Sequence, residues 1–293
     1  MRNEATNSFA PGHTACSGCA QSLAARLVLE ATGSNVIIAN ATGCLEVFTT
    51  RSPQSAWPVP WIHSLFENPA ALATGIKAAL VALGRDKEAK VIAQGGDGAT
   101  ADIGLGLVSG MFERGDDVLY ICYDNEAYMN TGVQRSGLTP SYAHTMTSPS
   151  GKVSLGNLRP KKDMVAIALA HHIPYVAVLS VAYPKFLKDC VKKALAINGP
   201  KYLQIYVPCP LGWGHPVNLT IDIAKKAVET YLYPVFEAEN GRIVNALRPK
   251  KKPVEEFLKL QGRFRHLFPK DGPREEVKAI QAIADENYRQ IPA

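Results

Sequence analysis

A doubly wound α/β fold on a mainly parallel sheet is predicted from the 293-residue sequence on three grounds. Short β-branched runs of the kind that form buried parallel strands recur along it. Helical patterns separate them, and several end in Gly, where helices commonly stop. A composition of 46% hydrophobic and 20% charged residues supplies enough apolar mass for a large core. In order, the chain reads as helix CAQSLAARLVLEATG, strand NVIIANA, helix NPAALATGIKAALVALG, strand KVIAQGGD, helix ADIGLGLVSGMFERG and strand DVLYICYDN. Helix DMVAIALAHH, strand PYVAVLSV, helix YPKFLKDCVKKALAING and strand KYLQIYVP follow. In such a sheet, ligands bind at the carboxyl ends of the strands.

Between Asn130 and Arg159 the chain is polar and rich in Gly, Ser, Thr and Pro, a length that in a compact domain marks a functional or interface loop. From Tyr233 the pattern changes. YPVFEAENGRIVNAL reads as a hairpin turning at Asn240-Gly241, followed by the basic RPKKKPVEEFLKLQGRFRHLF and a last helix. The expected division is therefore a domain over 1–232 and a C-terminal hairpin and helix extension over 233–293, serving as a subunit-interface arm.

Bulk properties exclude several function classes. The net charge of +6 is too diffuse for nucleic acid, although it suits an acidic protein partner. No apolar run reaches the roughly 18 residues of a membrane span; PAALATGIKAALVAL is interrupted by Lys77. The start lacks a secretory signal, so a cytoplasmic location is expected. Disulfides are rare there, and the CxxC pair Cys16 and Cys19 leans towards metal or redox chemistry. Cys44 and Cys209 stand far downstream, beside Gly or Pro. Cys122 and Cys190 fall inside a strand and a helix and read as packing residues.

The stretch QGGDGATADIG, followed by ICYDNEAYMNTG, carries the most chemistry. Gly95, Gly96 and Gly98 flank Asp97 at the end of a strand and directly before a helix. Glycines let the backbone approach a phosphate, and a helix N-terminus offers free N–H groups. Asp97 is a hard oxygen ligand suited to Mg²⁺. The next strand ends in Asp124-Asn125, and consecutive parallel strands end on one edge, so Asn125 can meet Asp97 across a metal ion. A single GDG is most often a turn; the second strand-terminal residue makes the pair specific.

GDG followed about 27 residues later by Asn resembles the diphosphate-binding signature of thiamine-diphosphate enzymes. From HTACSGC to ETYLYPVFEAENG the chain resembles one branch, the β subunits of pyruvate:ferredoxin oxidoreductase within the 2-oxoacid:ferredoxin oxidoreductases. The resemblance implies the diphosphate-domain form of the α/β fold. It implies thiamine diphosphate against Thr42, Gly43, Cys44, Leu45, Gly96, Asp97, Gly98, Met129 and Asn130, with Asn130 also a catalytic candidate. Mg²⁺ would sit on Asp97, Asn125 and the Ala127 carbonyl. A [4Fe–4S] cluster would sit on Cys16, Cys19, Cys44 and Cys209. By spacing alone the four thiols serve structural zinc as well; the neighbouring thiamine motif favours the cluster.

The activity so implied is oxidative decarboxylation of pyruvate with coenzyme A, electrons leaving singly to ferredoxin. The carboxylate that activates the aminopyrimidine is expected on a separate pyrimidine-domain subunit, with further subunits in the assembly; Glu46 and Glu67 are weak candidates for it on this chain. His63 either faces the cofactor or is structural, and Asn130 either contacts substrate or caps a turn. His171 and His172 read as packing and surface, and Trp57, Trp61 and Trp213 as packed loops. The Lys-rich RPKKKP reads as a solvated surface, with ferredoxin docking as its alternative. Ser154 has no nucleophile-elbow context, so hydrolase chemistry has no support. The rivals are the same chemistry on another 2-oxoacid, a non-oxidative thiamine decarboxylase or ligase, and a non-catalytic subunit with structural zinc.

Overall fold

The computed structural model describes residues 9–51 and 55–292; residues 1–8, where a leader was sought, lie outside them. In chain order the elements are α1 (Ala20–Thr32), β1 (Val36–Asn40), α2 (Cys44–Thr49), β2 (Trp61–His63), α3 (Pro69–Ala82) and β3 (Lys90–Gly96). A π-helical turn (Ala99–Ile103), α4 (Leu105–Glu113), β4 (Val118–Asp124), α5 (Met164–Ala170), β5 (Tyr175–Ser180), α6 (Pro184–Ala196) and β6 (Lys201–Tyr206) come next. The chain ends with α7 (Pro210–Trp213), α8 (Thr220–Glu229), β7 (Phe236–Glu239), β8 (Arg242–Ala246), α9 (Glu255–Leu258) and α10 (Glu276–Gln290).

The strands form one sheet of eight in the order β2-β1-β3-β4-β6-β5-β7-β8. The first six are parallel, and the β7–β8 hairpin joins antiparallel at the β5 edge. All five expected strands and the expected hairpin are present. The helix expected from Ala101 begins earlier, as the π-helical turn. Alternation along the strands divides two cores, as period-2 geometry requires. Ile38, Ile92, Ile121 and Leu203 face α1 and α6. Ala93, Tyr120, Cys122 and Tyr202 face α3, α4 and α5.

The C-terminal part folds back on its own chain. Phe257, Phe264, Ile280 and Ala284 join Tyr206, Trp213 and Ile223 in a third buried cluster. Residues 130–159 are irregular, as expected, and lie against the ends of β3 and β4 through side-chain hydrogen bonds. Cys122 and Cys190 are buried in the cores. His171 bonds Ser109 (2.8 Å), whereas His172 is exposed. Among the described residues no helix is long and apolar enough to cross a membrane.

Candidate functional site

β1, β3 and β4 end side by side, with Asn40 level with Gln94 and Gly96 level with Tyr123. The loops that follow enclose a cleft of about 690 Å³, lined by Ala41 to Leu45, Gly95 to Ala99, Asn125 and Ala127 to Thr131. Two glycines make this possible for different reasons. Gly43 sits at φ 150°, ψ −166°, a region open essentially to Gly alone, and turns the chain from β1 into α2 so that Cys44 begins the helix. Gly98 has ordinary angles, but a β-carbon there would enter the Tyr128 ring.

Asp97 is 1% exposed at the base of the cleft. Burial, with the Asp124 carboxylate next in effect, pushes its pKa well up, although Ser136 donates a short hydrogen bond to it and Lys161 opposes the shift. A cation bound beside it would favour the charged form against that burial. With its amide nitrogen turned inward, Asn125 donates to Asp97 Oδ1 (3.0 Å) and to the Ala127 carbonyl (2.7 Å). With the amide oxygen inward, three acceptor oxygens face one another, an arrangement that a cation reconciles. The three oxygen donors expected for Mg²⁺ are thus brought together.

A buried charge network backs these loops. Asp124 accepts from Lys161 (2.8 Å), Gln204 (2.9 Å) and the Glu126 amide (3.1 Å). Glu126 pairs with Lys161 (2.7 Å) and Arg263 (2.6 Å), and its own backbone is left-handed, at φ 66°. Burial opposes the Glu126 charge, but Lys161 and Arg263 hold its pKa below the usual range. Burial likewise works against the Lys161 ammonium, yet Asp124 and Glu126 together raise its pKa. Removing one member of such a network leaves a buried charge unmatched, at a cost of about 3–5 kcal/mol.

Beside the cleft lies a second cavity, of about 670 Å³. Cys16, Cys19, Cys44 and Cys209 all line it, together with Phe48, Val207 and Pro208. Gln21, Cys44, Asn125 and Asn130 belong to both walls. Topology explains the convergence: Cys44 follows β1, Cys209 follows β6, and the Cys16–Cys19 turn precedes α1. Gly18, at φ 73°, lets that turn lie against Val217, and Thr220 donates to its carbonyl (2.9 Å). All four thiols are unpaired. Burial, and then the facing Cys209, Cys19 and Cys16, push the Cys44 thiol up to about 12. Among the described residues no three His, Cys, Asp or Glu side chains are set to hold one metal ion.

His63 reaches the cleft only through Thr42, its Nε2 lying 2.7 Å from the hydroxyl. Glu46 bonds its own Thr50 (3.2 Å), and neither it nor Glu67 lines either cavity. Trp57 donates to Thr49 (2.8 Å) and Trp213 to the Asn125 carbonyl (2.8 Å), so both are structural anchors. Gln21, Tyr128, Glu126, Ser136, Lys161 and Arg263 were not read as site residues. Only Glu126, next to the strand-terminal Asn125, and Tyr128, between Ala127 and Met129, carry a local signal.

Parallel strands whose ends carry these loops define a thiamine-pyrophosphate enzyme domain, and the family model described as thiamine pyrophosphate enzyme, C-terminal TPP binding domain, matches residues 41–205. The chain is 55% identical to pyruvate synthase subunit PorB of Methanosarcina barkeri, over 95% of this chain and 94% of that one. It is 45% identical to ketoisovalerate oxidoreductase subunit VorB of Pyrococcus abyssi, over 97% and 92%. It belongs to the thiamine-pyrophosphate enzymes and, within them, to the family of the PorB subunits. Among solved structures, 2-oxoglutarate:ferredoxin oxidoreductase from Magnetococcus marinus shares the fold, with TM-score 0.61 and 23% identity over 72% of this chain and 69% of that one.

Proposed function

We propose that this chain is the thiamine-diphosphate- and [4Fe–4S]-binding subunit of a heteromeric pyruvate:ferredoxin oxidoreductase, which converts pyruvate and coenzyme A to acetyl-CoA and CO₂ and gives electrons to ferredoxin. One observation carries the reading: a cleft with three convergent oxygen donors shares a wall with a cavity ringed by four thiols. Relatives named as pyruvate synthase subunits support the substrate.

Asp97, Asn125 and the Ala127 carbonyl would hold Mg²⁺, and the backbone at Gly98 and the following helical turn would take the diphosphate. Thiamine diphosphate supplies the electron sink for losing CO₂ from a 2-oxoacid. Cys16, Cys19, Cys44 and Cys209 would hold the cluster as thiolates; burial raises the pKa of Cys19, Cys44 and Cys209, and a bound metal would favour their charged form. An iron–sulfur cluster supplies one-electron transfer. Tetrahedral thiolates serve zinc as well, and the thiamine-type cleft that shares a wall with these four thiols favours a redox cluster.

Asn130, on both walls, is positioned to hydrogen-bond a substrate at the mouth of the cleft, and Thr42, braced by His63, offers a hydroxyl. Leu45, Phe66 and Met129 exclude water. Asp97 is the only acidic side chain among the described residues that lines the cleft. In this reading the carboxylate that activates the aminopyrimidine comes from a pyrimidine-domain subunit, and assembly is required for turnover. A second reading keeps the machinery and changes the 2-oxoacid, since VorB subunits of ketoisovalerate oxidoreductases are also relatives. Substituting Asp97→Ala in the assembled complex tests the site: thiamine diphosphate binding should be lost, and undiminished turnover would refute the assignment.

A further inference from the structure

Beside the two cavities stands α7, a single helical turn whose Pro210 lines the thiol cavity and whose Gly212 and Trp213 lie against the cleft residues Met129 and Asn125. Cys209 caps its start and accepts from the Gly212 amide (3.4 Å). Trp213 ends it, fully buried, with its indole N–H on the Asn125 carbonyl (2.8 Å). Gly212 lies so close to the Met129 thioether that a β-carbon would overlap the sulfur. Arg263, from the C-terminal segment, closes the far side. Its guanidinium lies 3.8 Å from the Trp213 ring centroid and donates to Glu126 (2.6 Å). The Arg263 and Glu126 side chains are 3% and 5% exposed.

Asn125 is consequently held by its carbonyl and by the carboxylate of the residue after it, and both holds run to Trp213. The left-handed backbone at Glu126 persists only where neighbours enforce it. The Trp213 amide donates to the Cys209 carbonyl (2.9 Å), so the two ends of this turn are tied directly, and a shift of Cys209 is passed to Trp213.

We infer that Trp213 and Arg263 are positioning residues that couple the thiol cavity to the cofactor cleft through α7, so that the seating of Cys209 sets the placement of Asn125 and Met129. The inference rests on the reading above, in which the two cavities hold a cluster and thiamine diphosphate. Coupling of this kind is reciprocal: each site feels the other.

Trp213→Phe keeps a ring beneath Arg263 but cannot donate to Asn125. In the anaerobically purified complex, freed of cofactor, its affinity for thiamine diphosphate at fixed Mg²⁺ should fall about fivefold, the scale of one hydrogen bond. Iron content should hold, and the electron-paramagnetic-resonance line shape of the reduced cluster should change. Arg263→Lys keeps the charge but loses the fork and the stacking, and should shift both readouts the same way by less. Wild-type affinity and an unchanged spectrum in Trp213→Phe would overturn the coupling, whatever the melting temperature. So would lost affinity without a spectral change, which would leave Trp213 a support of the cofactor loop alone. A wild-type complex that binds no thiamine diphosphate, or holds no iron, would overturn the functional reading and the inference with it, before any variant is compared.

Discussion

The two cavities share four wall residues yet are built on opposite plans. The oxygen-lined cleft is braced before anything enters it. Asp97 has Ser136, Asp124 has Lys161 and Gln204, and Glu126 has Lys161 and Arg263, all buried except the half-buried Lys161. The thiol cavity has no such bracing between its functional groups. Its cysteines come from three separate segments, and for Cys19, Cys44 and Cys209 burial, and then the neighbouring thiols, disfavour the thiolates that a metal needs. Charged ligands in a low-dielectric site must be held by a prepaid network or by their own occupant. The cleft uses the first solution and the thiol cavity the second.

Breaking the network tests the first half of that contrast and should give the largest effect. Lys161→Met removes the cation that Asp124 and Glu126 share, and should cost about 3–5 kcal/mol of stability, read as a fall in the unfolding midpoint of the complex. Next comes the sulfur side. Cys44→Ser should reduce ferredoxin reduction by more than about 100-fold through loss of the cluster, while affinity for thiamine diphosphate falls only about fivefold, the share carried by the coupling through α7, because the bracing of the cleft remains. Gly98→Ala forces a methyl group into the Tyr128 ring; the resulting strain, about 1–3 kcal/mol, should weaken cofactor binding roughly tenfold in equilibrium dialysis. Cys190→Ser sharpens the contrast as the smallest case. It lies in the core between α6 and the sheet, so iron content should match the wild type, with a stability loss of about 1–2 kcal/mol.

Legibility in the sequence followed the same division. The strands were readable because buried parallel strands need continuous β-branched runs, and VLYICYD and YVAVLS have nowhere else to go. The GDG motif and Asn125 were readable because strand ends on one edge must meet. Elements of three to six residues, such as β2, α2 and α7, are too short to show a period, and α8, although ten residues long, is not among the helices expected from the sequence. The Cys16–Cys19 pair is legible from its spacing, and only the family resemblance joins it to Cys44 and Cys209; across the 164 positions between those two, nothing in the sequence pattern links one thiol to the other. Lys161 and Arg263 were invisible because charged residues in polar stretches read as surface. Arg263 in particular lay in a segment expected to drape over a partner, and the third core turns that segment back under Asn125.

The most direct test of two adjoining cofactors is an anaerobic electron-paramagnetic-resonance spectrum of the purified complex, with iron, acid-labile sulfide and zinc counted, before and after pyruvate is added without ferredoxin. Iron and sulfide sufficient for a cluster on this chain, with a reduced-cluster signal that grows on pyruvate and vanishes in Cys44→Ser, is the predicted result. A complex that holds zinc in place of iron on these thiols, or whose pyruvate-reducible signal survives Cys44→Ser unchanged, would contradict the account.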